Sequence, residues 1–275
     1  MEKTVSTRSM IFTLYGDYIS HYGNAIWIGS LIRLLKEFGH NEQSVRAAMS
    51  RMSKQGWVQS EKKGNKSYYS LTDRGEARMD EASKRIYKLE SPEWDGAWRM
   101  LIYTIPEEKR HLRDELRQEL IWSGFGALST SCWITPNPME QQIKRLVEKY
   151  EVGSYVTFFR ATHEGMSDHA SLVEKCWDLD KINERYSEFI KEYSQDFIID
   201  KHNIVKGDLS DGSCFVKRAL LVHQYRKFLF IDPSLPQELL PEKWIGDSAA
   251  HLFGEYYRIL EKPATRFFES VFEQG

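Results

Sequence analysis

From Met10 to Met52 apolar residues recur every three or four positions. Met10, Ile11, Leu14, Tyr15 and Tyr18 share one helical face, Ile28, Leu31, Ile32 and Leu35 share another, and Gly39 ends the second run. A third helix is predicted after Asn41, a residue suited to an N-cap. Val45, Ala48, Met49 and Met52 form its inward stripe, which leaves Gln43, Arg46, Ala47, Ser50, Arg51 and Lys54 outside. Gly56 closes that helix and the period then drops to two. Trp57–Gln59 and Ser67–Leu71 are predicted strands joined by a turn at Lys63-Gly64-Asn65. Thr72-Asp73 opens a polar helix running to about Leu89, and Ser91-Pro92 marks a boundary.

The next stretch alternates strand and helix. Met100–Ile105 is a predicted strand stopped by Pro106, and Glu107–Ser123 an amphipathic helix. Phe125–Leu128 with Cys132–Ile134 forms a hairpin, Met139–Tyr150 a second helix, and Tyr155–Phe159 a last strand. From about Ser167 the pattern is helical: Leu172 to Trp177, Ile182 to Tyr193, Phe215 to Phe230 and Ala249 to Leu260, broken by Asp232-Pro-Ser-Leu-Pro236 and by Pro241. The expected class is α+β. Residues 1–92 make a winged helix-turn-helix, 93–166 a ferredoxin-like βαββαβ domain, and 167–275 a helical domain.

Charge sharpens this division. Residues 1–88 hold 15 Lys and Arg against 9 Asp and Glu, and the rest of the chain holds 23 against 31, so a +6 module is joined to a −8 body. The apolar run from Ala25 to Leu35 is too short to span a bilayer, and the first residues lack the order of a signal peptide. A cytoplasmic protein without membrane partners is expected. Cys132, Cys176 and Cys214 lie far apart and form no Cys-x-x-Cys pair, and the eight histidines have no ligand spacing, so free thiols and no metal site are expected.

A helix that is apolar within and offers Gln, Ser and Arg outside suits the DNA major groove, where Arg pairs with guanine and Gln with adenine. Gln43, Ser44 and Arg46, near the helix start, are candidates for base edges or nearby phosphates; Ser50 lies on the same outer side, and Arg51 and Lys54 suit the backbone. The helix alone fits an ordinary solvated surface somewhat better. The adjoining turn alters the balance, because Lys62, Lys63, Asn65, Lys66 and Ser67 place cations and small donors at a hairpin tip suited to phosphates.

The segment Asn41-Glu-Gln-Ser-Val-Arg-Ala-Ala-Met-Ser-Arg-Met52, with Gln55-Gly-Trp57, Lys66-Ser-Tyr-Tyr69 and Leu71-Thr72, resembles the winged helix of the PaaX-type repressors of phenylacetate degradation. The resemblance continues in Trp94-Asp-Gly-Ala-Trp-Arg99, Trp177-Asp-Leu179, Leu220-Leu-Val-His-Gln-Tyr-Arg226, Asp232-Pro-Ser-Leu-Pro236, Glu238-Leu-Leu-Pro241, Trp244 and Gly246. It implies a homodimeric repressor of an aromatic-acid catabolic operon, without cofactor or catalytic activity, released from operator DNA by phenylacetyl-coenzyme A. Asn65-Lys66 stands where two arginines are common in that family, which favours phosphate contact over base reading at the wing. An acyl-coenzyme A effector needs cations for its phosphates and an apolar slot, which His223, Tyr225, Arg226, Lys227 and Trp244 would offer; packed core residues fit the same positions. Trp94, Trp98 and Arg99, at the expected domain junction, suit wedging domains together.

The central segment also resembles small CRISPR-associated nucleases in its order of elements. Those enzymes hold a metal with an acidic residue ending the first strand, where this chain has Thr104-Ile105-Pro106. Gly64-Asn65-Lys66-Ser67 lacks the earlier glycine of a phosphate loop, and Gly165-Met-Ser167 does not continue as a nucleophile elbow. An acyl-coenzyme A hydrolase or nuclease carrying a DNA-binding extension is the alternative.

Overall fold

The computed structural model describes residues 5–87 and 93–273. The Leu89 helix end, the Ser91-Pro92 boundary and the first four residues lie outside that range. The chain divides into two compact units: residues 1–88 with 189–226 and 250–275, and residues 89–188 with 227–249. Helical sequence beyond 167 is therefore shared between them.

In the first unit, α1 (Thr7–Asp17), α2 (Ile28–Lys36) and α3 (Glu42–Lys54) bury the stripes expected of them, with Met10, Ile11, Leu14, Leu31, Leu34, Leu35, Val45, Met49 and Met52 fully buried. Ser6 caps α1 and Asn41 caps α3, each through its side-chain oxygen. A strand that the periodicity does not reveal, β1 (Ala25–Trp27), pairs with β3 (Lys66–Leu71), which also pairs with β2 (Val58–Lys63), giving the order β1-β3-β2. Gly23 and Asn24 both adopt positive φ just before β1 and turn the chain into the strand, which runs directly into α2 and is set apart from it only by its pairing with β3. Thr72 caps α4 (Asp73–Ile86).

The same unit contains most of α8 (Leu179–Lys206), all of α9 (Asp211–Tyr225) and most of α10 (Gly246–Val271). The expected end of the last helix at Leu260 is corrected: α10 runs through Pro263 to Val271. Proline removes one helical hydrogen bond at about 3 kcal/mol. Leu260, Ala264 and Phe268, on one face and fully buried, offset it.

In the second unit, β4 (Trp98–Tyr103), β5 (Gly126–Ala127), β6 (Cys132–Thr135) and β7 (Val156–Ala161) form an antiparallel sheet in the order β5-β6-β4-β7. The first strand starts and ends two residues earlier than the apolar run indicates, because its pairing begins at Trp98 with Ala161 and ends at Tyr103 with Val156, and Trp98 and Arg99 are both buried. α5 (Arg110–Trp122) and α6 (Glu140–Lys149) cover one face, packing Leu116, Leu120, Ile143 and Leu146 on Leu101, Tyr103 and Trp133. Buried Arg99 is satisfied by a two-pronged pair with Asp95 at 2.7 Å, by Glu140 at 2.9 Å and by the carbonyls of Ala97 and Pro136. α7 (His169–Cys176) completes the unit, with Trp177 stacked on Trp98. The three cysteines are free; Cys214 is buried, whereas Cys132 and Cys176 are partly exposed. Among the described residues no helix is long and apolar enough to cross a membrane, and none group as a set of three potential metal ligands.

Candidate nucleic-acid interface

The position of α3 follows from its two faces. Its inward stripe packs in the unit's core, so Gln43, Arg46, Ser50, Arg51 and Lys54 are exposed and Ser44 is half-buried. Asn41 Oδ1 accepts the Ser44 amide at 2.8 Å, which fixes the helix start. Arg46 Nε donates to Glu42 Oε1 at 2.8 Å one turn earlier, with both side chains more than half exposed. Such a pair contributes about 0–1 kcal/mol and yields readily to a stronger acceptor. Glu42, which the sequence reading left out, thus holds Arg46 along the helix.

The hairpin beside α3 is held at its base. Gly56 ends the helix at φ 70°, and Thr72 Oγ1 donates to its carbonyl at 2.7 Å. Gly75 lies so close that a Cβ there would sit 2.6 Å from the Trp57 carbonyl oxygen. At the other end Gly64 takes φ 62°, the first position of a two-residue II′ turn completed by Asn65. Lys62, Lys63, Gly64 and Asn65 are exposed there, and Lys66 and Ser67 are half-buried.

The register sets Lys63 directly across from Lys66. Like charges opposite each other destabilise a ribbon. The local relief is modest: Lys63 lies 4.0 Å from Glu61 and above the Tyr68 ring at 5.7 Å. Lys66 sits 4.6 Å above the Trp27 ring and pairs with Glu273. Trp27 and Glu273 also escaped the sequence reading. The first sits in an apolar run, and the second is 207 residues from its partner.

The five residues considered for an effector fall in both units. His223, Tyr225 and Arg226 belong to the first. His223, 4% exposed, has Nδ1 3.2 Å from Thr13 Oγ1. Arg226 donates to Thr13 Oγ1 at 3.0 Å and to the Ser9 carbonyl at 3.0 Å, and burial pulls its guanidinium down to about 10. These bonds tie α9 to α1. Tyr225 stacks on Phe253 at 4.0 Å. Lys227 and Trp244 belong to the second unit, Lys227 exposed and Trp244 edge-on to Tyr186 at 5.5 Å. That unit also holds a cavity of about 580 Å³ lined by Val173, Cys176, Trp177, Leu179 and Leu239. Glu174, Asp178, Asp180 and Glu238 line it together with Lys175, a charge balance that disfavours a phosphate-rich ligand.

Comparison with known proteins covers nearly the whole chain. Residues 6–75 match the family described as PaaX-like protein, 91–173 the PaaX protein central Cas2-like domain, and 177–270 the PaaX-like protein C-terminal domain. The transcriptional repressor PaaX of Escherichia coli (strain K12) is 36% identical over 274 residues, covering 98% of this chain and 84% of that protein. In fold the chain is similar to the uncharacterized protein Rv0674 from Mycobacterium tuberculosis, with a TM-score of 0.58 at 24% identity over 97% of this chain and 98% of that one.

Proposed function

The chain belongs to the PaaX family, and from that membership we infer that it is a DNA-binding transcriptional repressor of phenylacetate catabolism rather than an enzyme. The observation that carries the DNA reading furthest is the pairing of Lys63 with Lys66 across a hairpin beside α3. In the free protein each of these opposed cations has only an exposed carboxylate beside it, Glu61 for Lys63 and Glu273 for Lys66, and such weak pairs yield to a polyanion.

In this reading α1–α3 with β1–β3 act as a winged helix-turn-helix. Gln43, Ser44 and Arg46 meet base edges or nearby phosphates from the start of α3, and Ser50, Arg51 and Lys54 follow the groove and backbone. Lys62, Lys63, Asn65, Lys66 and Ser67 contact phosphates. The sheet order β5-β6-β4-β7 with two helices on one face supports a ferredoxin-like central domain, and helical residues 167–275 complete the chain.

The repressor acts as a homodimer that spaces two such modules about one helical turn, ~34 Å, apart. Phenylacetyl-coenzyme A is the effector, and of the five candidates His223, Tyr225 and Arg226, which share the first unit, contribute to its recognition. Arg226 supports this role because its bonds from α9 to α1 run to neutral oxygens, which an anionic phosphate would outcompete, loosening α1. A full switch needs a preference for the released form on the order of 5 kcal/mol.

Fluorescence anisotropy on the promoter duplex beside the coding region, at fixed salt, with and without phenylacetyl-coenzyme A, tests the whole reading. Tight binding reversed by the thioester is expected. Binding indifferent to the thioester removes the effector, and no binding removes the repressor.

A further inference from the structure

Residues 271–273, just past α10, are held by three anchors, the last of which reaches the hairpin. The Val271 carbonyl, left without a helical partner at the end of α10, accepts Ser30 Oγ at 2.8 Å and Arg33 Nη2 at 3.2 Å, both from α2. Phe272 lies against Tyr22 at 5.3 Å and Phe268 at 5.0 Å. Glu273 then reaches β3, where Oε1 pairs with Lys66 and accepts the Tyr68 hydroxyl at 3.2 Å. The carboxylate is thereby placed on one of the hairpin's lysines by anchored chain.

We propose that Glu273 is a displaceable clasp on the hairpin: it occupies Lys66 in the free protein and surrenders that ammonium group to a DNA phosphate on binding. This inference rests on the DNA-binding reading above.

Three features make the exchange workable. Lys66 and Glu273 are each 37% exposed, so a phosphate can approach from solvent. An ion pair this open contributes only about 0–1 kcal/mol, within reach of a competing phosphate. The Trp27 ring below Lys66 at 4.6 Å keeps the ammonium group on the hairpin when the carboxylate leaves. The released carboxylate stays beside the phosphates, so Lys66 and Glu273 together bring almost no net charge to the DNA and most of the counterion release that Lys66 alone would give is lost. The clasp therefore restrains sequence-independent binding, while Lys62, Lys63 and α3 remain available.

Glu273→Gln in the full chain, titrated by anisotropy onto a random-sequence duplex over a range of salt, tests the clasp. The variant should bind about 2- to 5-fold tighter than the parent, the factor held in an exposed ion pair. Its plot of log affinity against log salt should also be steeper by roughly 0.9 per bound chain. In a Lys66→Gln background the same change should give no gain, because the partner is already gone. Unchanged or weaker binding by Glu273→Gln, while the parent binds DNA, overturns the clasp alone. A parent that binds no duplex overturns the DNA reading first, and the clasp with it.

Discussion

Replacing Asp17 by Asn should unfold the first unit more readily than any surface substitution. Asp17 is 2% exposed at the end of α1. Its carboxylate accepts Arg218 Nε at 3.0 Å, Arg218 Nη2 at 3.1 Å, the Tyr87 hydroxyl at 2.9 Å and the Tyr257 hydroxyl at 2.7 Å. Arg218 is itself 4% exposed, so α4, α9 and α10 all send polar groups to one buried anion. Its guanidinium is held above its usual pKa by Asp17, against the opposing effect of burial. An amide in place of the carboxylate removes the counter-charge and presents an NH2 group where an oxygen accepted. Leaving one member of a buried pair unpartnered costs about 3–5 kcal/mol. Urea unfolding followed by circular dichroism should report that loss, and hydrogen exchange should place it in α1, α9 and α10. The double variant Asp17→Leu with Arg218→Met should recover part of it, since no isolated charge remains, but not all, because two tyrosine hydroxyls lose their acceptor. A loss below about 1 kcal/mol for Asp17→Asn would refute the assignment of this pair as a structural anchor.

Arg46→Ala should lower discrimination between operator and random DNA by about 1–3 kcal/mol, whereas Lys63→Ala should weaken binding to every sequence and flatten the salt dependence by roughly 0.9, both read by anisotropy. Gly75→Ala should destabilise the hairpin base by about 1–3 kcal/mol in thermal unfolding, because its Cβ would meet the backbone oxygen of Trp57 at 2.6 Å. Asp95 is held below its usual pKa of 3.8 chiefly by its hydrogen bonds from Arg99. A lowered folded pKa stabilises the fold above the unfolded value and loses that effect as pH falls through the folded value. The stability gap between parent and Asp95→Asn should therefore be constant at neutral pH and shrink only in acid below about pH 4. A gap that closes between pH 6 and 8 would contradict this.

Much of the fold is legible in the sequence where one element carries its own signal. The inward stripe of α3 announces its outward face, and caps at Asn41 and Thr72 mark helix starts that the structure reproduces. What escapes is set by distant partners. β1 is three residues long and merges by hydropathy with α2, so only its pairing to β3 defines it. Pro263 signals a helix end, yet Ala264 and Phe268 bury deeply enough to carry α10 past it. On the candidate interface, the exposure of Gln43, Arg46, Lys62 and Lys63 could be read from spacing alone. The restraints on them could not: Glu42 resembles any first-turn acid, and Glu273 meets Lys66 only because α10 returns to the hairpin. His223 and Arg226 carry ligand-like chemistry, but their bonds to Ser9 and Thr13 span more than 200 positions.

Hydrogen exchange of the full chain, with and without its promoter duplex, tests the central claim most directly. Saturating DNA should slow exchange along the first turns of α3 and around Lys62–Ser67, and at neither α5 nor α6. Protection centred on the β5-β6-β4-β7 sheet, with α3 and the hairpin unchanged, would contradict the assignment of this surface as the DNA-reading face.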